Sequence, residues 1–374
     1  MSKLLGSLKV VELGQVIAGP YAGAILADLG AEVIKIERHR VGDDARHMGE
    51  AVARSSALMF HVFNRGKQSK TIDIKSVAGR EELEALIAGA DVFLHNLRPD
   101  VPGVLGLDGP SLCRRHPRLI YCQISAFGET GPYATRPGYE PLIQAFSGLS
   151  SINGGPDDPP MRAGASICDQ GAGMWSVIGI LTLLHRRQHT GRGGIVSTSL
   201  LETALAWIAQ RTDTYVNLGH LLPRDRSGHP SFVPYQAFDT TDGSVLICCG
   251  NDRLFEKLAQ VLGHTEWVTD PRFSTNVMRL SHKAELIPLI SDIIATRSTS
   301  DWVDVFLDSG VPCSPINDIP AIVRDSQAAA LKMRAPLGAE GLELTLLPLR
   351  IDGDRPRPTD IGPSLGASNS PRGG

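Results

Sequence analysis

The first 130 residues alternate short, β-branched apolar runs with stretches of helical periodicity, and no other feature limits the fold as much. Residues 8–13 (LKVVEL) and 32–37 (EVIKIE) read as buried strands, with a short helix at 22–29 between them closed by Gly30. The pattern recurs: a strand at 71–74, a helix that puts Leu83, Leu86, Ile87 and Ala90 on one stripe, a strand at 91–94 and another at 119–125. Strands separated by helices predict a parallel sheet wrapped by helices, an α/β doubly wound layer. Ligands of such sheets sit at strand carboxyl ends and helix N-termini.

Beyond Gly128 the texture changes to Gly/Pro-marked loops, then helices at about 170–185 and 199–217 and a Gly/Pro/Arg linker at 218–234. A smaller unit follows over roughly 235–322, with a strand at 244–248 and a helix at 302–307. Residues 353–374 have no apolar period and read as extended or disordered. The 39 Gly and 25 Pro make about 17% of the chain, below the roughly 25–30% that marks low-complexity disorder. A net charge of −3 with both signs interspersed leaves no basic stripe for nucleic acid or an anionic membrane. The most apolar run, 174–184, is far below the ~18–20 residues of a membrane span, and the opening residues are too short in apolar character for a secretory signal. Six cysteines without a CxxC pair point to a reduced, cytoplasmic setting.

The first βαβ unit ends on Glu37, where a nicotinamide enzyme keeps its ribose-binding acid. The turn Gly14-Gln15-Val16-Ile17-Ala18-Gly19-Pro20 is not GxGxxG, so an ordinary βα turn is the commoner reading. There is neither a GxxxxGK[ST] phosphate loop nor a GxSxG elbow. His185 and His189 have the spacing of two metal ligands on one helix face, but Arg186, Arg187 and Arg192 repel a dication, and no metal is expected. One carboxylate stands apart. Asp169, in 164–173 (GASICDQGAG), opens an apolar helix among small residues. It reads either as an N-cap, the commoner fate of such an Asp, or as an anionic nucleophile beside a helix N-terminus, with Gly171 and Gly173 leaving room for a ligand.

Taken together, the segments 10–14 (VVELG), 18–20 (AGP), 26–37 (LADLGAEVIKIE), 64–67 (NRGK), 73–75 (DIK), 96–99 (NLRP), 125–132 (SAFGETGP) and 136–140 (RPGYE) resemble the class III coenzyme A transferases. The Asp169 segment, 250–252 (GND), 270–273 (DPRF) and 311–317 (VPCSPIN) continue the match, over about residues 5–365 and in the right order. This is the CaiB/BaiF-type family of formyl-CoA transferase and the α-methylacyl-CoA racemases. The resemblance implies a Rossmann-like doubly wound large domain with a smaller α+β domain, in an interlocked homodimer. Residues 1–224 would form the first part of the large CoA-binding domain, 225–325 the small domain, and 326–374 the return to the large domain with a flexible tail.

The resemblance also implies the chemistry. Asp169 would attack an acyl-CoA thioester, forming an acyl–aspartyl anhydride and then an enzyme-bound CoA thioester on the way to a free carboxylic acid acceptor. CoA and acyl-CoA enter as substrates, with no tightly bound cofactor. Ala18, Arg38, Ile72, Lys75, Asn96, Leu97, Arg98, Arg136 and Tyr139 would contact CoA, and Glu140 and His229 the substrate acid. The stretch 228–236 (GHPSFVPYQ) would cover the site, without the glycine repeat of the formyl-CoA enzymes. Succinyl-CoA with a small dicarboxylate is the default pair, with Arg162 or His229 for a distal carboxylate. Two departures stand out. Val104 occupies a position where the family often has Arg, with Arg114 or Arg115 as replacements, and the helix usual after Leu365-Gly366 is missing. The racemases of the family place His after the Arg-x-Gly turn. Here Tyr139 stands there, and with an ordinary pKa near 10 it is a poor proton relay at neutral pH. The alternatives are a racemase-like isomerase, a nicotinamide oxidoreductase, and a CoA-binding relative in which Asp169 is idle.

Overall fold

Repeated βα units pair their strands side by side in one direction. In the computed structural model, which describes residues 4–369, six strands form a parallel sheet: β1 Lys9–Leu13, β2 Glu32–Glu37, β3 Gln68–Thr71, β4 Val92–His95, β5 Ile120–Ser125 and β6 Gly194–Ser199. Their order is β3-β2-β1-β4-β5-β6. The chain winds outward from β1 to β3 and resumes on the other side of β1. The carboxyl ends of β1 and β4 therefore flank a switch point, the usual ligand position in open α/β sheets.

Helix α1 Ala18–Asp28 joins β1 to β2, α2 Leu58–Asn64 precedes β3, and α3 Val77–Ala88 leads to β4. Helices α4 Val101–Leu105 and α5 Gly109–Arg115 lie before β5. Helices α6 Glu140–Phe146 and α7 Ile167–Thr190 precede β6, and α8 Leu200–Trp207 and α9 Ala209–Leu218 follow it. Val11, Ile36, Phe93 and Tyr121 of the sheet pack with Leu83, Ile87 and Leu112 of α3 and α5 into one apolar cluster. Helix α7 is long and apolar enough, by length and composition, to cross a membrane; its contacts here are with α1, α6, α8, β5 and β6.

The described residues divide into two compact units, one of 4–149, 162–209 and 331–369, the other of 150–161 and 210–330. The second has its own antiparallel sheet, β9-β8-β7, formed by β7 Tyr235–Asp239, β8 Ser244–Cys248 and β9 Cys313–Pro315. Its core includes Phe255, Trp267, Phe273, Trp302 and Phe306.

Several elements differ from the sequence expectation. Helix α1 starts four residues earlier than expected, because Pro20 falls in the first turn, where its missing N–H costs nothing. Strand β3 is at 68–71 rather than 71–74, since polar Ser69 is wanted inside: it donates to Glu37 at 2.6 Å. The helix expected over 199–217 is two helices broken at Ile208. The tail is held rather than loose over its described part. Ile361 is buried, Asp360 pairs with Arg54, and Asn369 exchanges two hydrogen bonds with Thr71. Residues 370–374 lie outside the described residues.

The largest departure from strand alternation is a charged interior beneath β1 and β2. Lys35, with no solvent exposure, lies 3.0 Å from Glu12 and 2.8 Å from Asp43, and Lys67 lies 2.6 Å from Glu12. Lys67 also donates to Pro20 O and Asn64. A Cβ on Gly23 would collide with Glu12 Oε2, so glycine is required where α1 crosses this cluster. Buried charges persist only when paired and hydrogen-bonded in this way.

Candidate active site

Asp169 is the third residue of α7. The helix begins at Ile167 with Ser166 as its N-cap, and the Ser166 side chain makes no capping bond. The N-cap reading of Asp169 is therefore incorrect. The orphan N–H groups of this first turn are capped from another helix: Glu140, the first residue of α6, accepts from Cys168 N (3.1 Å) and Asp169 N (2.8 Å). A third bond, from Gln144 Nε2 at 2.7 Å, holds the Glu140 carboxylate in place. This frees the Asp169 side chain, which has no hydrogen-bond or ion-pair partner among the described residues. Burial pushes its carboxyl up to about 7, and the charge of Glu140 adds to the shift. A carboxylate so raised is more basic, and a better nucleophile, than one in water. Burial holds the Cys168 thiol up to about 12, so it stays protonated at neutral pH.

The neighbours of Asp169 follow from the topology. Helices α1 and α7 both run back from one parallel strand toward the next, so they point the same way. A Cβ on Gly173 would lie 2.9 Å from Ala18 O and 3.3 Å from Ala22 N, which puts Gly173 level with the first turn of α1. Asp169 is one helical turn earlier on the same face, about 6 Å nearer the strand carboxyl ends. It therefore stands level with the β1–α1 turn, at the switch point of the sheet.

Residues 5–369 match the family described as CoA-transferase family III. The chain belongs to that family. It is 37% identical over 342 residues to a succinate–glutarate CoA-transferase of Agrobacterium fabrum, covering 90% of this chain and 86% of the relative. It is 36% identical to an acetyl-CoA:oxalate CoA-transferase of Acetobacter aceti, over 96% of this chain and 92% of that one. A crystal structure of a CaiB/BaiF family protein from Brucella suis superimposes with a TM-score of 0.88 at 36% identity, covering 98% of both chains. This family III CoA-transferase is thus an enzyme that moves CoA between an acyl-CoA and a carboxylic acid.

Within the transferase, the residues singled out from the sequence fall into distinct groups. Ala18 and Ile72 are buried near the ends of β1 and β3. Arg38 is half-exposed, donates to Gly42 O and is paired with Asp44, which a phosphate would have to displace. Lys75 is exposed. Leu97 is half-buried, and its N–H donates to His95 Nδ1 at 3.2 Å. Arg98 is exposed and bound to Asp100 at 2.6 Å. Arg136 stacks over the Tyr133 ring at 3.8 Å, and Tyr139 is exposed as the N-cap of α6. Asn96 is half-buried with both ends of its amide on Gln15. Val104 is exposed, and Arg115 reaches Gly106 O beside it while paired with Glu84.

His229 belongs to the second unit, where its ring packs between Phe232 and Tyr235 and its Nδ1 accepts Ser231 N–H at 3.1 Å. Arg162 is exposed on the approach to α7. His185 and His189 pack ring to ring, 5.1 Å between centroids, at the far end of α7. The nicotinamide reading fails on Glu37: both its oxygens are taken by Arg46, at 2.7 and 2.8 Å, with Ser69 and Asp43 N filling the rest. No ribose hydroxyl could be held there.

An open apolar cleft of about 360 Å³, lined by Ala165, Ile167, Gln170, Gly171, Met174 and Trp207, runs along the side of α7 away from Asp169. Sequence reasoning missed His95 and Tyr121. They form a buried pair at 2.6 Å beneath the β4 carboxyl end, and burial holds the imidazole neutral, down to about 3. It also missed Val16, whose φ of 65° is left-handed. No composition signal marks either feature.

Proposed function

We propose that this enzyme transfers CoA from succinyl-CoA to a small dicarboxylic acid, with Asp169 as the acyl carrier. One observation above all supports this reading: a partnerless carboxylate, raised to about 7, in the first turn of α7 at the sheet's switch point. Asp169 Oδ attacks the thioester carbonyl and the C–S bond breaks, leaving a mixed anhydride and CoA thiolate. The thiolate then attacks the aspartyl carbonyl and expels the first carboxylate, giving an aspartyl–CoA thioester. The acceptor carboxylate repeats the attack on that thioester, and the thiolate finally takes the acceptor acyl group and releases Asp169. Each intermediate keeps the acyl activation, so no ATP is consumed. Holding the reacting groups together supplies much of the rate, and N–H donors near the carbonyl oxygen stabilise its developing charge.

The dicarboxylate preference is supported by relatives named for succinate, succinyl-CoA and glutarate. In this reading the large unit is Rossmann-like and binds CoA through Arg38, Lys75, Leu97, Arg98, Arg136 and Tyr139. In the same reading residues 228–236 form a covering stretch, and two copies interlock as a cytoplasmic homodimer that engages neither nucleic acid nor membrane. Nothing in the site favours the racemase, since Tyr139 offers no imidazole and the oxygens of Glu140 hold the helix. The test is a panel of acyl-CoA donors against carboxylic acids read by mass spectrometry. New acyl-CoA products are expected with dicarboxylates, and Asp169→Ala should abolish them in a folded protein. Exchange of the α-hydrogen of a branched acyl-CoA without an acceptor acid would instead favour the isomerase.

A further inference from the structure

We infer that Asn96, Asp43 and Lys35 are positioning residues for the transfer reaction, which hold the β1–α1 turn, with Val16 in a left-handed conformation, beside the nucleophile. The inference rests on the reading of Asp169 as acyl carrier. A β-branched residue at φ 65° is a genuine outlier, and such a posture is costly and persists only where the surroundings over-determine it. Here two consecutive peptide groups, Gly14–Gln15 and Gln15–Val16, are fixed by three side chains from different segments. Lys35 Nζ, anchored on Glu12 and Asp43, donates to Gly14 O at 2.7 Å. Asn96, just past β4, accepts Gln15 N–H and donates to Gln15 O, both at 2.9 Å. Asp43 Oδ1 accepts Val16 N–H at 3.0 Å.

The chain itself does not demand this posture. Strand β1 ends at Leu13 and α1 begins at Ala18, and the commonest turn, type I, keeps both of its central residues at negative φ. The expense of one strained residue and a set of buried charges goes into the placement of residues 14–18, and those residues stand level with Asp169. The same bonds change the meaning of Asn96. Both ends of its amide are committed to Gln15, so it acts on the reaction through the turn, whereas the resemblance expects it to touch CoA.

The experiment uses the full chain with succinyl-CoA as donor and glutarate as acceptor, and first checks the wild type for an acyl adduct on Asp169. Val16→Gly, free to leave the left-handed region, is expected to lose about 10- to 100-fold in kcat, as sub-ångström to ångström misplacement does. Its KM for succinyl-CoA should stay within about 3-fold and its unfolding midpoint should not fall, because glycine relieves the strain. Val16→Asn, which tolerates that region, should recover most of the loss. Asn96→Ala should likewise lower kcat with little change in KM. A Val16→Gly kcat within about 2-fold of wild type, or an Asn96→Ala effect confined to KM, overturns the inference while the Asp169 adduct still stands. A wild type without that adduct overturns the acyl-carrier reading and this inference with it.

Discussion

Replacing Asp169 by asparagine should stabilise the folded protein, and by an amount that depends on pH. The Asp169 carboxyl is raised from 3.8 to about 7, first by burial and then by the charge of Glu140. Between these two values the folded chain holds a proton that the unfolded chain has released. Stability therefore falls as pH rises through that window, by about 1.4 kcal/mol per pH unit at most. The shift of about three units corresponds to a ceiling of about 4 kcal/mol at pH 8, and to less than about 1 kcal/mol at pH 4. Asp169 is half-buried rather than sealed, so solvent screening lowers the figure, to about 2–3 kcal/mol at pH 8. The substituted amide cannot ionise, so the variant escapes this cost, and the other titrating groups cancel in the difference. Urea unfolding of wild type and Asp169→Asn at pH 4, 6 and 8 measures it directly. The expected result is a stability gap that widens with pH and levels off above about 7.5. A gap independent of pH, or one that narrows as pH rises, would refute the claim that this carboxylate is held buried and unpaired.

Three further outcomes follow from the same geometry. The nucleophile must be ionised to attack, so kcat/KM should rise tenfold per unit at acid pH and level off near pH 7; a pH–rate profile flat from 5 to 8 would contradict this. Glu140→Gln removes a like charge beside Asp169 and should move that acid limb to lower pH by up to about one unit, checked in the same profile; a shift to higher pH would count against it. Gly23→Ala pushes a methyl into Glu12 Oε2 and breaks the Glu12–Lys67 pair, so denaturant titration should show a loss of about 3–5 kcal/mol, and a near-neutral result would mean that α1 can shift away.

The parallel sheet was legible because its signal is local. Strand β2 occupies the residues read from the sequence, and α3 buries the Leu83 and Ile87 of its stripe. The site was legible only through the ordered motifs, and the reasons are physical. The start of α7 is capped by Glu140, 29 residues before Asp169, so no local rule could separate an N-cap from a free carboxylate. Lys35 and Glu12 lie in runs that otherwise look like ordinary strands, yet both are fully enclosed, because their partners Asp43 and Lys67 arrive from loops and strand ends outside any sequence window. Val16 looks unremarkable in sequence, since a left-handed valine is imposed by its neighbours rather than chosen by its own preference.

Trapping the enzyme during its first half-reaction tests the acyl-carrier claim most directly. The protein is mixed with succinyl-CoA in the absence of acceptor, quenched with hydroxylamine or borohydride, digested, and its peptides are read by mass spectrometry. The expected product carries a single modified residue, Asp169, and loses the modification when acceptor acid is added before the quench. Modification at Glu140 in place of Asp169, or an unmodified Asp169 in a preparation that turns over, would contradict it.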